Sequence, residues 1–450
     1  MDALDGVRAL AAIAVLVFHV AIESAAALHD NFFSSLLARG DVAVPIFFAL
    51  SGLLLYRPYA RAALLGERPP STRVYLVKRA LRILPAYWLV VVVAMTLWAG
   101  PHLGDVKTWL QLLLLGQTYE IHPWWFGLGP RGLAQMWSLC VEAAFYVLLP
   151  LVAAVLTAYA RRGGPDLDRR ARRLLTGLGV LAASSFAWAL LTYFPVYRPY
   201  LNTWLPRAWV FFAVGMALAV VSEWARQEKS REKSGEKGAD ETGEDGPAHR
   251  FVRAVGASAG SFLLVAALAY AVAASPLTGT RFSGVDGVWA DLSELALYAT
   301  VAAGLVTPAA LLPAGGSPYG RFLGSRVMRF LGRVSYGVFL WQFVALYLWY
   351  DFTEQQPWSG NFAGNLVVVG AFTLLLATLT HRYVEEPARR LALLATSSRT
   401  GTRMGTRKGT QEETQTATET SSQKQTPMAT ETETETETET ETGTAASPRP

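Results

Sequence analysis

Long apolar runs recur along the chain, near 4–27, 42–57, 82–99, 137–157, 174–194, 205–222, 257–275, 293–312, 333–350 and 364–384. Each holds roughly 16 to 22 largely apolar residues, enough for an α-helix to cross a hydrocarbon core of about 30 Å. The pattern predicts an all-α polytopic membrane protein with about ten transmembrane helices. One further run, Trp109-Leu-Gln-Leu-Leu-Leu-Leu-Gly116, is too short to cross and reads as re-entrant or interfacial.

The polar stretches between these runs orient the bundle. With ten spans and a cytoplasmic N-terminus, the inner loops receive clusters such as Arg73, Lys78, Arg79 and Arg82, and Arg161, Arg162, Arg169, Arg170, Arg172 and Arg173. The outer loops receive only Arg39, Lys107, Arg131, Arg198, Arg207 and Arg281. Counting 109–116 as a span would move most basic loops outside, so the positive-inside rule favours ten spans with both termini cytoplasmic. Asp2 and Asp5 stand where a cleaved signal peptide would carry basic residues, and the first run is expected to stay as a mature helix.

Composition agrees with this class. Hydrophobic residues make up 52% of the 450 positions and charged residues only 17%, too apolar for a soluble protein of this size. The formal charge of +5 would suit nucleic acid, but the cations flank the spans, so the lipid bilayer and not nucleic acid is the expected partner. A single cysteine, Cys140, excludes an intramolecular disulfide and any cysteine-based metal cluster.

Residues 1–390 read as one membrane domain, interrupted at 226–250 by a charged, Gly-rich cytoplasmic linker. Residues 397–450, which carry repeated Thr-Glu dipeptides, read as a disordered cytoplasmic tail. No Gly-x-Ser-x-Gly, Walker or dinucleotide fingerprint occurs, and no soluble catalytic domain is expected after the last span. Chemistry is therefore expected inside the bundle or in its short loops.

Polar groups placed inside apolar runs are costly and mark candidate sites. In the first run, Arg8 and His19 are eleven residues apart, which sets them about 16 Å apart along a helix and within roughly 20° of one face. Asp41 and Pro45 open the second run, where ordinary helix-start chemistry explains them, and Ser51-Gly52 in mid-span suits close helix packing. Arg79 and Arg82 share a helical face at the inner mouth of the third run and form a guanidinium fork suited to phosphates. Glu142 lies four residues after Ser138, one too many for a capping box, so capping does not explain it. By depth it could meet His19, with Glu23 as a rival partner. Ser335 and Tyr336 are polar positions early in the ninth run, and His381, Glu385 and Glu386 close the tenth. Trp124, Trp125, Phe126 and Trp204 in the outer loops suit an interfacial aromatic belt.

Taken in order, these stretches resemble the integral-membrane acyltransferase family 3. The resemblance runs over roughly residues 3 to 390, through Leu4-Asp-Gly-Val-Arg8, His19, Phe47-Phe48-Ala-Leu-Ser51-Gly52, Arg79-Ala-Leu-Arg82, Trp137-Ser138-Leu-Cys-Val-Glu142 with Phe145-Tyr146, Ser335-Tyr336 and Glu386-Pro387. It implies a ten-span enzyme that transfers an acyl group, often acetyl, from cytoplasmic acyl-CoA to a carbohydrate, cell-surface glycan or sugar-bearing metabolite. By the same resemblance His19 and Glu142 are the catalytic residues, and Arg8, Arg79 and Arg82 bind the donor. Asp41, Ser335 and Tyr336 support them. Acyl-CoA is a cosubstrate, and no permanently bound cofactor or metal is expected. Gln342 departs from many relatives, which carry histidine there.

The resemblance leads to an expected mechanism. Acyl-CoA docks at the inner face, and neutral His19 acts as general base or acyl carrier, with Glu142 holding the ring tautomer or assisting the acceptor. The alternative is a proton-coupled secondary transporter using His19, Glu23 and Glu142 as a relay. A structural scaffold would leave His19 and Glu142 as unexplained costs.

Overall fold

The computed structural model describes residues 2–233, 246–279, 287–313 and 315–393. These residues form α1 (Asp2–Glu23), α2 (Phe32–Leu37), α3 (Ala43–Leu65), α4 (Thr72–Trp98), α5 (Val106–Leu113), α6 (Trp137–Arg161), α7 (Leu167–Tyr193) and α8 (Leu205–Lys233). After them come α9 (Pro247–Ala257), α10 (Ala259–Ala273), α11 (Val288–Leu311), α12 (Pro318–Leu323), α13 (Arg326–Thr353) and α14 (Phe362–Thr380). No strand occurs among the described residues.

Nine of these helices (α1, α3, α4, α6, α7, α8, α11, α13 and α14) are long and apolar enough to cross a membrane, and α9 with α10 passes only as a pair bent by 73°. Packing decides how the pair counts. Asp2 at the start of α1 pairs with Arg329 in the first turn of α13 at 3.3 Å. Gly332 lies so close to the backbone of Asp5 that no Cβ would fit there. The two helices therefore start on the same face of the membrane, so an even number of crossings separates those starts. That holds only if α9–α10 is one crossing, which makes ten, with the seventh span broken at Ser258. The protein is an all-α, multi-pass membrane protein.

Several boundaries differ from the hydropathy reading. Helix α4 starts at Thr72, about three turns before the expected span, so Arg79 and Arg82 lie inside a helix and not on a flank. Pro85 stays within it without ending it. Helix α8 runs to Lys233 and α9 starts at Pro247, so both ends of the expected structureless linker are helical. The Glu228 carboxylate accepts the free backbone N–H groups of Ala248 (3.2 Å) and His249 (2.7 Å), which supplies α9 with an N-terminal cap from another helix. Residues 234–245 and the tail 397–450 lie outside the described residues.

The short apolar run behaves as re-entrant. Helix α5 starts on the outer side, yet its last carbonyls, of Leu112 and Leu113, accept from Tyr87 Oη (2.6 Å) and Trp88 Nε1 (2.9 Å) of α4. Those residues lie ten and eleven positions below the outer end of α4, about 15 Å into the membrane. In hydrocarbon the exposed carbonyls of a broken helix need such donors.

Helix α3 runs through the centre of the bundle. At its crossing with α8, Gly52 faces the Phe212 carbonyl and Gly215 the Ala49 carbonyl, with no space for a Cβ at either. Small residues let the two backbones touch, as membrane helices require when no hydrophobic effect drives them together. Beside the crossing, Phe212 stacks on Phe145 (3.9 Å) and Phe48 (4.6 Å).

Candidate functional site

A cavity of about 500 Å³ lies among α1, α3, α4, α6 and α13, with Glu385 and Arg389 from the end of the last span. Its wall takes Asp5 and Arg8 from α1, Phe47, Phe48 and Ser51 from α3, Arg79 and Arg82 from α4, Glu142 and Tyr146 from α6, and Arg333, Ser335, Tyr336 and Phe339 from α13. Most of its charged residues belong to the inner-facing ends of these helices. Helical spacing explains the cluster: Arg79 and Arg82 are three apart, as are Arg333 and Tyr336, so each pair shares a face. Tyr336 Oη donates to the Ile83 carbonyl at 2.9 Å, fastening α13 to α4 next to Arg82.

The charges in this wall are unbalanced. Arg8, Arg79, Arg82, Arg333 and Arg389 face Asp5, Glu142 and Glu385. Among the described residues no carboxylate lies within ion-pair distance of Arg8, Arg79 or Arg82. Arg79 Nε is buried without any partner, and so is Glu385 Oε1. Glu142 is occupied otherwise: Oε1 accepts from Ser51 Oγ and, at 2.5 Å, from Tyr146 Oη. Buried polar atoms left unpaired are the exception in proteins, and a group of half-buried guanidiniums without counter-ions suits a polyanion with several oxygens.

His19 is not in this wall. Its Nδ1 lies 3.0 Å from Gln342 Oε1, and its ring packs against Phe343 (4.3 Å between centroids) and Phe18 (5.1 Å). Gln342 Nε2 donates to the Phe339 carbonyl at 3.1 Å, and Gln135 Nε2, from the turn before α6, donates to the same carbonyl (3.4 Å) and to that of Leu340 (3.0 Å). Phe339 also lines the cavity, so the cavity ends within one turn of α13 from the partner of His19.

The expected meeting of His19 with Glu142 or Glu23 therefore does not occur. Glu23 accepts from Tyr347 Oη at 3.0 Å. Glu142 lies with the arginines because Gln135 anchors the start of α6 to the middle of α13, about 21 Å from the inner start of that helix. Helix α6 thus starts well inside the membrane, whereas the expected pairing needs it to start at the outer surface. Asp41 also stands apart. It does not cap α3, and its Oδ1 accepts from Tyr298 Oη of α11 at 2.6 Å. The predicted residues Arg8, Arg79, Arg82, Glu142, Ser335 and Tyr336 are thus gathered around one cavity, with His19 and Asp41 outside its wall.

The cavity wall also holds polar side chains outside the predicted site: Asp5, Ser51, Ser138, Tyr146, Arg333, Glu385 and Arg389. Ser51 and Tyr146 sit within motifs already noted, and a hydroxyl in an apolar run was the available signal. Glu385 is brought inward by a π-helical turn over His381–Glu385, where His381 Nδ1 lies 3.4 Å from Glu385 Oε2. Turns of this kind recur at functional sites, but nothing in the local sequence marks one.

The family model Acyl_transf_3, described as "Acyltransferase domain", matches residues 1–382. The chain belongs to this acyltransferase family. Among its relatives, the peptidoglycan O-acetyltransferase OatA of Listeria monocytogenes is 24% identical over 409 residues, covering 87% of this chain and 56% of the relative. The putative peptidoglycan O-acetyltransferase YrhL of Bacillus subtilis is 24% identical over 413 residues, covering 88% and 56%. Nodulation protein 10 of Rhizobium leguminosarum bv. viciae is 25% identical over 189 residues, 37% of this chain and 46% of that one. The chain thus spans little more than half the length of the first two relatives. No solved structure matches it.

Proposed function

We propose that this family member is a membrane-embedded O-acyltransferase that moves an acyl group, acetyl in the first instance, from cytoplasmic acyl-CoA to a hydroxyl of a glycan or other carbohydrate. The observation that carries the reading is the arginine-rich, under-neutralised cavity, whose wall comes from the matched region except for Glu385 and Arg389. A CoA donor brings phosphates for Arg8, Arg79 and Arg82, whose planar guanidiniums suit them. Its pantetheine arm then runs past Phe47 and Phe339 towards His19. The glycan acceptor is suggested by the two relatives named for peptidoglycan. The plasma membrane is the corresponding location.

In this reading the free imidazole nitrogen of His19 takes the proton of the acceptor hydroxyl while its oxygen bonds to the acyl carbon. The carbon–sulfur bond breaks, and the leaving thiolate recovers the proton as CoA thiol. An acyl-histidine route would use the same nitrogen as nucleophile, and an acyl group trapped on His19 without acceptor would select it. Glu142, between Ser51 and Tyr146, acts on the donor end of the cavity and not on the imidazole. A proton-coupled transporter would need neither the family membership nor the unpaired arginines.

The reading predicts that His19→Ala abolishes transfer from radiolabelled acetyl-CoA while the protein still inserts and binds acyl-CoA. Comparison of acylated glycans by mass spectrometry, with and without the gene, identifies the acceptor. Wild-type turnover in His19→Ala, or transport of an unmodified solute by a protein blind to acyl-CoA, would sink the proposal.

A further inference from the structure

We infer that Gln342 is a positioning residue that fixes His19 as the tautomer with its proton on Nδ1, leaving Nε2 as the unprotonated, reactive nitrogen. Gln342 is 1% exposed and cannot turn to water. One end of its amide meets the Phe339 carbonyl at 3.1 Å and the other meets His19 Nδ1 at 3.0 Å. A carbonyl oxygen can only accept, so the amide nitrogen must face Phe339 and the amide oxygen must face the imidazole. The reverse orientation would hold two oxygens against each other in a dry site, each without a proton to share. The amide oxygen also only accepts, so Nδ1 must carry the hydrogen. A neutral imidazole has one N–H, and Nε2 therefore carries the lone pair.

The surroundings make this arrangement rigid. Phe18 and Phe343 pack against the ring, and Phe343 stacks on Tyr347 at 5.5 Å, which limits rotation of the imidazole. Gln135, from the turn that leads into α6, donates to the same Phe339 carbonyl, so that turn and the Gln342 amide of α13 meet at this one peptide group. Nε2 has no hydrogen-bonding partner among the described residues, and it is not one of the buried polar atoms left without one. Its lone pair is therefore left for a substrate hydroxyl or acyl carbon. Held in that orientation, the Gln342 amide can only accept from His19.

The assignment of the tautomer stands on geometry alone; its catalytic consequence rests on the function proposed above. The test uses full-length protein in detergent with ¹⁵N-labelled histidine, and the His19 signals among the six histidines are identified by their loss in His19→Gln. At neutral pH the wild type should show a protonated, pyrrole-type Nδ1 and an unprotonated, pyridine-type Nε2. Gln342→Leu should abolish that preference; Gln342→Met, unbranched like glutamine, should do the same if leucine disturbs packing. An Nε2-protonated His19 in the wild type, or an unchanged tautomer in both variants, would overturn the inference. In transfer assays the same variants should lower kcat on the order of 10²-fold, the scale of general acid–base assistance, with KM for acetyl-CoA unchanged. Loss of the tautomer signal with normal turnover would uphold the assignment and overturn instead the catalytic reading of His19.

Discussion

Two groups of arginines, one on the outer side of the bundle and one at the inner cavity, are treated in opposite ways. On the outer side Arg207 of α8 makes a two-pronged contact with Asp291 of α11, at 2.5 and 2.6 Å. Arg39, only 3% exposed, binds Glu294 at 2.6 Å and the Thr278 carbonyl at 3.0 Å. Each guanidinium there has its carboxylate, and the result is a clamp on α11. At the inner cavity Arg8, Arg79 and Arg82 have no such partners among the described residues. Paired charges satisfy each other and leave nothing for a ligand; unpaired ones leave a demand that a polyanion can meet.

The largest effect that separates the two groups is on stability. Arg207→Ala strands the buried Asp291 carboxylate, and losing one partner of a buried pair costs about 3 to 5 kcal/mol. Thermal unfolding in detergent should show a large drop for Arg207→Ala and none for Arg82→Ala, which removes a charge with no counter-ion. Equal losses in the two variants would break the comparison.

Next in size is donor affinity. One or two charge-assisted hydrogen bonds of about 1.5 kcal/mol each are at stake at Arg82, so Arg82→Ala should weaken acetyl-CoA binding about ten- to hundredfold. Such contacts act alike on ground and transition states, and KM should rise with kcat little changed. Titration calorimetry at two salt concentrations checks both the affinity and its electrostatic origin. Unchanged affinity would mean that the unpaired arginines serve something other than this donor.

The smallest effect concerns the exposed outer loop, which behaves as a miniature of the outer group. Lys107 (2.6 Å) and Gln111 (2.5 Å) bind the Glu120 carboxylate and hold its pKa at about 2, below its usual 4.5. A depressed carboxylate supports the fold above its unfolded value and loses that support as pH falls through the folded one. Protection against amide exchange around 117–122, taken relative to the intrinsic rate at each pH, should therefore be flat between about pH 5 and 8 and fall only below about 4.5, with the change complete near 2. In Lys107→Ala the fall should start at higher pH. A loop that loosens above pH 5 in the wild type would refute the pairing.

How far the sequence could be read follows from the reach of each signal. The spans, their inner and outer loops and the re-entrant run were legible because crossing a bilayer is a local demand on length and polarity. The arginine pair, Glu142 and the tyrosine of Ser335-Tyr336 could be picked out because polar groups in apolar runs are costly wherever the neighbours lie. Partner identity was not legible. Ser51 looked like packing beside Gly52, yet only the glycine makes the close crossing while the serine turns to Glu142.

Alone, the sequence determined the membrane class, the ten crossings and the residue types gathered at the inner mouth. Only the tertiary structure decided that the seventh span is broken, that Glu142 belongs with the arginines, and that His19 answers to Gln342. These depend on where a helix starts relative to another helix far away in the chain, and a shift of one turn moves a side chain by about 5.4 Å. Hydropathy fixes a helix within the membrane to no better than that, whereas a hydrogen bond tolerates a few tenths of an ångström.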